Sequence, residues 1–187
     1  MDGLIFWQPI PWATILVPLI HPPCNMTSIR SFKTSDWPAL WPILQTTFAS
    51  GDTYAYDPSS TEEDIFYQWI ESPKATYVAV DATGAVVGTY FIKPNQPGLG
   101  AHVCNCGYVV AAAARGQGIA AAMCVHSQTE ALALGFSAMQ FNLVVATNVG
   151  AIALWTKLGF AVMATLPRAF SHQQLGLVDA LVMYKLL

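Results

Sequence analysis

A mixed α/β domain, with one sheet covered by helices on both faces, is predicted by three features of this sequence. Segments rich in β-formers and segments with helical patterning follow one another in the order β-α-α-β-β-β-α-β-α-β-β. The two clearest helical segments each stop at a glycine, Gly135 and Gly159, as helices do when the next residue must turn left-handed. A chain of 187 residues suits a single domain with a sizeable core.

The front of the chain is set apart. Leu4–Ile20 is apolar but carries Pro9, Pro11 and Pro18, whereas a membrane-spanning helix needs about 20 apolar residues and few prolines. A secretory leader begins with basic residues, and here Asp2 is the only early charge. Residues 1–25 are expected to be an apolar, proline-containing extension, disordered or loosely docked, or the product of a translation start placed too early. No stable membrane insertion is expected. Met26 opens the domain proper, residues 26–187.

Within the domain, Thr27–Lys33 reads as a first strand. Asp36–Ser50 reads as a helix capped by Ser35 or Asp36. A loop, GDTYAYD, leads to a second helix running to about Glu71, with Ser60 or Thr61 and Glu63 at its start. Ala75–Asp81 and Ala85–Lys93 flank the turn DATG as a hairpin. His102–Val110 is a strand, Gly116–Leu134 a helix, Ala138–Ala146 a strand and Val149–Leu158 a helix. Phe160–Leu166 and Leu181–Leu187 close the sheet. Trp37, Trp41 and Trp69 fall at helical positions and read as core.

Charge is unevenly distributed. Residues 1–81 hold nine acids and three bases, a net of −6; residues 82–187 hold two acids and five bases, a net of +3. The second half is the better host for an anionic ligand. No basic stripe of the kind that binds nucleic acid is present. Cys24, Cys104, Cys106 and Cys124 lack metal-finger spacing and read as reduced, partly buried thiols of a cytoplasmic protein, with no metal.

The most informative stretch is GYVVAAAARGQGIA. Arg115, Gly116 and Gly118 stand where a strand ends and a helix begins. The first turn of a helix carries unpaired N–H groups and partial positive charge, which suit phosphate, although glycines there can also serve packing alone. A mononucleotide P-loop is excluded because its Lys and hydroxyl are missing, and the dinucleotide spacing fails.

Arg115, Gly118 and Ala120 match motif A of the GCN5-related N-acetyltransferase (GNAT) family, R/Q-x-x-G-x-G/A. Downstream, TNVGAIALWTKLGF resembles the family's second signature at Asn148, Ala151, Leu154, Lys157, Gly159 and Phe160. The resemblance implies a mostly antiparallel sheet with one splayed strand pair that binds acetyl-coenzyme A as co-substrate. It places the pantetheine arm along Tyr108, Val109 and Val110, with the Val109 N–H facing the acetyl carbonyl. It places the pyrophosphate on Gly116, Gln117, Gly118, Ile119 and Ala120 with Arg115 at the rim. Asn148 would bond the pantetheine arm or cap its helix, and Trp155 stands where many members carry a tyrosine acid. The strand before motif A also lacks the glutamate that many members use, which leaves backbone electrostatics, proximity and Asn105 as the catalytic resources. His102 reads as surface.

The segments GTYFIKPNQPG, CNCGYVV and FNLVVATN are similar to family members acting on small cyclic imino acids related to proline. The expected acceptor is therefore a small-molecule amine. Its pocket would be lined by Asn105, Asn142, Leu143, Tyr54 and Tyr56. Asn105 and Asn142 are amides in otherwise apolar strands, so they pair with each other, with backbone or with ligand. The acids Asp52, Asp57, Glu62, Glu63 and Asp64 read as a solvated helix start. Two other readings stay open: acetylation of protein or peptide amines, and a non-catalytic acyl-coenzyme A sensor. A homodimer is compatible with all of them.

Overall fold

The computed structural model describes residues 27–187, so the expectations for residues 1–25, and Cys24, lie outside the described residues. Among the described residues seven strands form one sheet in the order β1-β2-β3-β4-β5-β7-β6. They are β1 (Ser28–Ser31), β2 (Ala75–Val80), β3 (Val86–Pro94), β4 (Val103–Val110), β5 (Ala138–Val145), β6 (Ala161–His172) and β7 (Gly176–Leu186). Every neighbouring pair is antiparallel except β4 and β5. Helices α1 (Trp37–Ala49) and α2 (Glu62–Phe66, continued by a π-helical turn Tyr67–Glu71) cover one face; α3 (Ile119–Ala133) and α4 (Val149–Lys157) cover the other. Among the described residues no helix is long and apolar enough to cross a membrane.

Each face has its own core. On the α1/α2 side, Leu40, Leu44 and Phe48, one helical face by their spacing, pack with Ile65 and Trp69 against Val78, Phe91 and Val109. Trp69 is fully buried and its Nε1 donates to Thr89 Oγ1 at 3.1 Å, so the large ring leaves no polar atom unsatisfied. Trp37 and Trp41 are half-buried and stack on each other at the rim. On the α3/α4 side, Cys104, Cys106 and Cys124 are buried with Met123, Met139 and Phe141, and the three thiols are free.

The helix starts differ from expectation in detail. Thr61 caps α2, and its partner in the capping box is Asp64 rather than Glu63. Asp36 precedes α1 but makes no side-chain bond to it. Its carboxylate is instead held by Arg30 through two bonds of 2.7 and 2.8 Å and by the Lys33 N–H at 2.8 Å. The Arg30 bond lowers the Asp36 pKa from its ordinary value. That stabilisation is complete above the ordinary carboxylate range, about pH 4, and is lost as pH falls through the depressed value. Asp36→Asn is expected to lower the urea midpoint at pH 7, with the two melting curves converging below pH 4. Parallel curves down to pH 2 would show that the pair contributes nothing.

The closing strands are longer than predicted. The sequence stops them at Leu166 and starts again at Leu181, whereas β6 runs to His172 and β7 begins at Gly176. The cause is a register shift between Leu166 and Phe170, where Arg168 takes φ 55° and its N–H is accepted by Asp179 Oδ1 at 2.9 Å. This bulge breaks the alternation that marks a strand in sequence. The tip of the hairpin docks on the α1–α2 loop through the Gln173 N–H and the Gly51 carbonyl at 3.0 Å.

Candidate active site

The parallel pairing of β4 with β5 covers only Val103↔Ala138 and Cys104↔Met139. Beyond it the two strands part, and a cleft of about 1370 Å³ opens between them. Two features mark the place where the strands part. Trp155 of α4 packs against the rings of both Tyr108 and Phe141, 5.1 and 5.2 Å away, and those two rings touch each other edge-on at 5.9 Å, so one aromatic cluster underlies the parting strands. At the base of the opening, Asn105 Nδ2 donates to the Gln140 carbonyl at 2.8 Å, just past the last paired residues, so a side chain takes that acceptor instead of a continuing ladder.

The β3–β4 ladder decides which backbone groups face the opening. Asn95 N–H bonds the Val103 carbonyl and Ala111 N–H bonds the Val87 carbonyl, one at each end of an unbroken register. Odd-numbered residues of β4 therefore exchange bonds with β3, and even-numbered residues turn their N–H and carbonyl groups toward β5. This corrects the expected role of Val109. Its N–H faces Thr89, and its side chain is buried in the α1/α2 core. The groups directed into the gap are those of Tyr108 and Val110. The Tyr108 carbonyl accepts the Tyr54 hydroxyl at 2.9 Å. Tyr108 contributes backbone alone, because its own hydroxyl pairs with Ser127 Oγ at 2.7 Å inside the α3/α4 core.

At the far end of β4 the chain turns through Gly116 and Gly118, with φ of 77° and 80°. Gly118 is the N-cap of α3 and makes no side-chain bond to it, so the first-turn N–H groups of the helix point outward at the cleft wall. A Cβ added at either glycine meets no atom within 4 Å. The residues fit a phosphate group there: open space, left-handed glycines, unpaired amides and the exposed Arg115. Ile119 and Ala120 also line the cleft, while Gln117 lies in the same exposed turn. Asn148 caps α4, its Oδ1 accepting from the Ala151 N–H at 3.1 Å, and the residue also lines the cleft.

The other end of the cleft is polar. On the α1/α2 face of the sheet, Asn105 and Asn142 do not meet directly but are linked through Gln140. Gln140 Nε2 donates to Asn142 Oδ1 at 2.8 Å, and Asn142 Nδ2 donates to Asn95 Oδ1 at 2.7 Å. Tyr54 and Tyr56 line the same cleft and stack on each other, 5.9 Å between ring centres. Burial raises both phenols, Tyr56 to about 12, so both stay protonated at neutral pH. Leu143 lies at a register shift of β5 on the same wall. Asp57 lies at the cleft edge and is held by Ser59. His102 is exposed and away from the cleft lining.

Sequence reasoning missed several lining groups. Lys93 enters because β3 register puts it opposite Asn105. His172, Gln174 and Leu175 enter from the hairpin tip that the sequence read as a gap between strands. Thr53 also lines the cleft, and among the described residues its hydroxyl is the buried side-chain polar atom without a hydrogen-bond partner.

A sheet split between two parallel strands and opening onto a glycine turn at a helix start is the arrangement implied by the resemblance to the acetyltransferases. Residues 37–160 match the model of the Acetyltransferase (GNAT) family, and the chain belongs to that family of N-acetyltransferases. It is 32% identical over 150 residues to the N-acetyltransferase aca1 of Schizosaccharomyces pombe, covering 71% of each chain. It is 44% identical to the solved GCN5-related N-acetyltransferase from Kribbella flavida, with a TM-score of 0.82 over 86% of this chain and 98% of that one. A phosphinothricin acetyltransferase from Sinorhizobium meliloti, solved in complex with acetyl-coenzyme A, shares the fold at 20% identity, with a TM-score of 0.77 over 86% of this chain and 88% of that one.

Proposed function

We propose that this enzyme moves the acetyl group of acetyl-coenzyme A to the nitrogen of a small amino or imino acid resembling proline or azetidine-2-carboxylate. The observation that carries the reading is the acceptor end of the cleft. A compact polar platform of linked amides is walled by Tyr54, Tyr56 and the docked hairpin tip. The glycine turn, α3 amides and Arg115 receive the phosphates. The pantetheine arm lies in the gap along Tyr108 and Val110, with the Asn148 amide beside it and Trp155 beneath. The fold shared with a neighbour solved with acetyl-coenzyme A supports this placement.

In the reaction, the acceptor nitrogen loses a proton to water and attacks the acetyl carbon. The new C–N bond forms, the C–S bond breaks as the thiolate of coenzyme A leaves, and the second proton that the nitrogen sheds on becoming an amide reaches the thiolate through water. The Tyr108 N–H, turned into the gap, stabilises the charge that develops on the acetyl oxygen. The Tyr54 hydroxyl fixes the same peptide strand by holding the Tyr108 carbonyl. Catalysis comes from proximity and preorganised backbone dipoles.

Free-thiol release measured across a panel of amines is the test. Small amino and imino acids are expected to be turned over with kcat/KM well above peptide amines and polyamines. Turnover of peptides alone would establish the protein-modifying reading. Tight acetyl-coenzyme A binding with no thiol release from any amine would establish the sensor.

A further inference from the structure

We infer that Lys93 binds the carboxylate of the acceptor and thereby selects amines that carry an acid group beside the nitrogen. The inference rests on the proposed small-acid acceptor and deepens it. Lys93 and Phe91 lie on the α1/α2 face of β3, directly opposite Asn105 and Gly107 of β4. Lys93 is half-buried and lines the cleft. Its Nζ lies 5.1 Å from the centre of the Phe91 ring, so the side chain folds along the strand toward the level of Gly107. Among the described residues no carboxylate lies within ion-pair distance of it. A partly desolvated cation whose recorded partner is an aromatic face still has its donors to give, and an anion in the cleft would receive them.

Position separates this cation from the phosphate site. Asn105, its neighbour, is five residues from Val110, roughly 17 Å at the usual rise per residue, and the glycine turn lies beyond that. Lys93 therefore cannot serve the phosphates that Arg115 faces. It does lie close to the chemistry. Gly107 is adjacent to Tyr108, whose N–H faces the gap, a step of roughly 3.4 Å. An α-amino acid carries its nitrogen and its carboxylate on one carbon. A molecule with its carboxylate on Lys93 thus presents its nitrogen toward the acetyl group at Tyr108. The amide platform of Asn105 and Asn142 lies beside the same point and supplies further polar contact. A peptide N-terminus has no carboxylate at that distance and leaves the lysine unpaired, which is discrimination by an unsatisfied charge.

The test compares L-proline with L-prolinamide, or another turned-over acid with its amide, in the full-length enzyme. Wild type is expected to prefer the acid. Lys93→Met, which keeps the stem and removes the charge, is expected to reduce that preference about 10- to 100-fold, chiefly through KM of the acid. Lys93→Arg is expected to retain most of it. Acetyl-coenzyme A affinity reports that the variants are folded. A measurement on wild type alone is also decisive: cyclopentanecarboxylate, an acid with no nitrogen, is expected to compete with the acceptor, and cyclopentanecarboxamide is not. An unchanged acid-to-amide ratio in Lys93→Met, or no competition by the free acid, overturns the inference while leaving small-acid acetylation standing. Wild type that turns over peptide amines and no small acids overturns both.

Discussion

Gly118→Asp is expected to weaken acetyl-coenzyme A binding about 100-fold, or about 2.7 kcal/mol, while the protein stays folded. The residue sits at φ 80°, which Asp tolerates better than most side chains. Nothing in the protein lies within 4 Å of an added Cβ, so the new group enters the cleft rather than the core. An aspartate at the N-cap of α3 competes for the helix amides and puts a negative charge at the proposed phosphate site. Gly118→Asn separates the two effects, since it caps the helix without the charge and is expected to lose less. The charged part of the loss shrinks as salt is raised. Calorimetric titration of both variants decides the matter. Wild-type affinity in folded Gly118→Asp would remove the phosphates from this turn.

Gly107→Ala is expected to cost about 1–3 kcal/mol of stability and to lower kcat by at least about 10-fold. The added Cβ would lie 2.6 Å from Phe91 Cε1 and 3.2 Å from the Tyr54 hydroxyl. Phe91 cannot retreat, because it packs edge-on against the fully buried Trp69, 4.8 Å between ring centres. The strain therefore falls on the β4 backbone at Gly107, which must shift away from Phe91, and that shift disturbs both the neighbouring Tyr108 peptide, whose N–H is proposed to face the acetyl oxygen, and the bond its carbonyl accepts from the Tyr54 hydroxyl. The urea midpoint and kcat are both measured. Phe91→Leu in the same chain is expected to restore part of each, since the two substitutions act on one contact. A stable Gly107→Ala enzyme with wild-type kcat would mean that Tyr54 does not hold β4 in its working position.

The order of the strands and helices was legible because each element carries its own local signal. Gly135 and Gly159 end helices at φ 88° and 91° where the sequence places them. The DATG turn joins β2 to β3, with Gly84 at φ 86° and its N–H bonded to the Asp81 carbonyl. Arg115, Gly118 and Asn148 were legible for the same reason, since a helix start needs a particular chemistry within a few residues. The extent of β6 and β7 was not legible. Their continuation depends on Asp179 accepting the Arg168 N–H across the hairpin, a partner eleven residues away.

The sequence by itself therefore determined the family, the element order and the glycine turn at the start of α3, all of which rest on patterns of residues near in the chain. The tertiary structure alone decided which way each peptide group of β4 points. That depends on the phase of its ladder with β3, and a shift of one residue would exchange Val109 for Tyr108. It also decided that Asn105 and Asn142 are joined through Gln140, and that Lys93 and the hairpin tip share one wall with Tyr54. Those neighbours come from five separate segments of the chain. Only strand register and the docking of a loop bring them together, and no local pattern in a sequence records either.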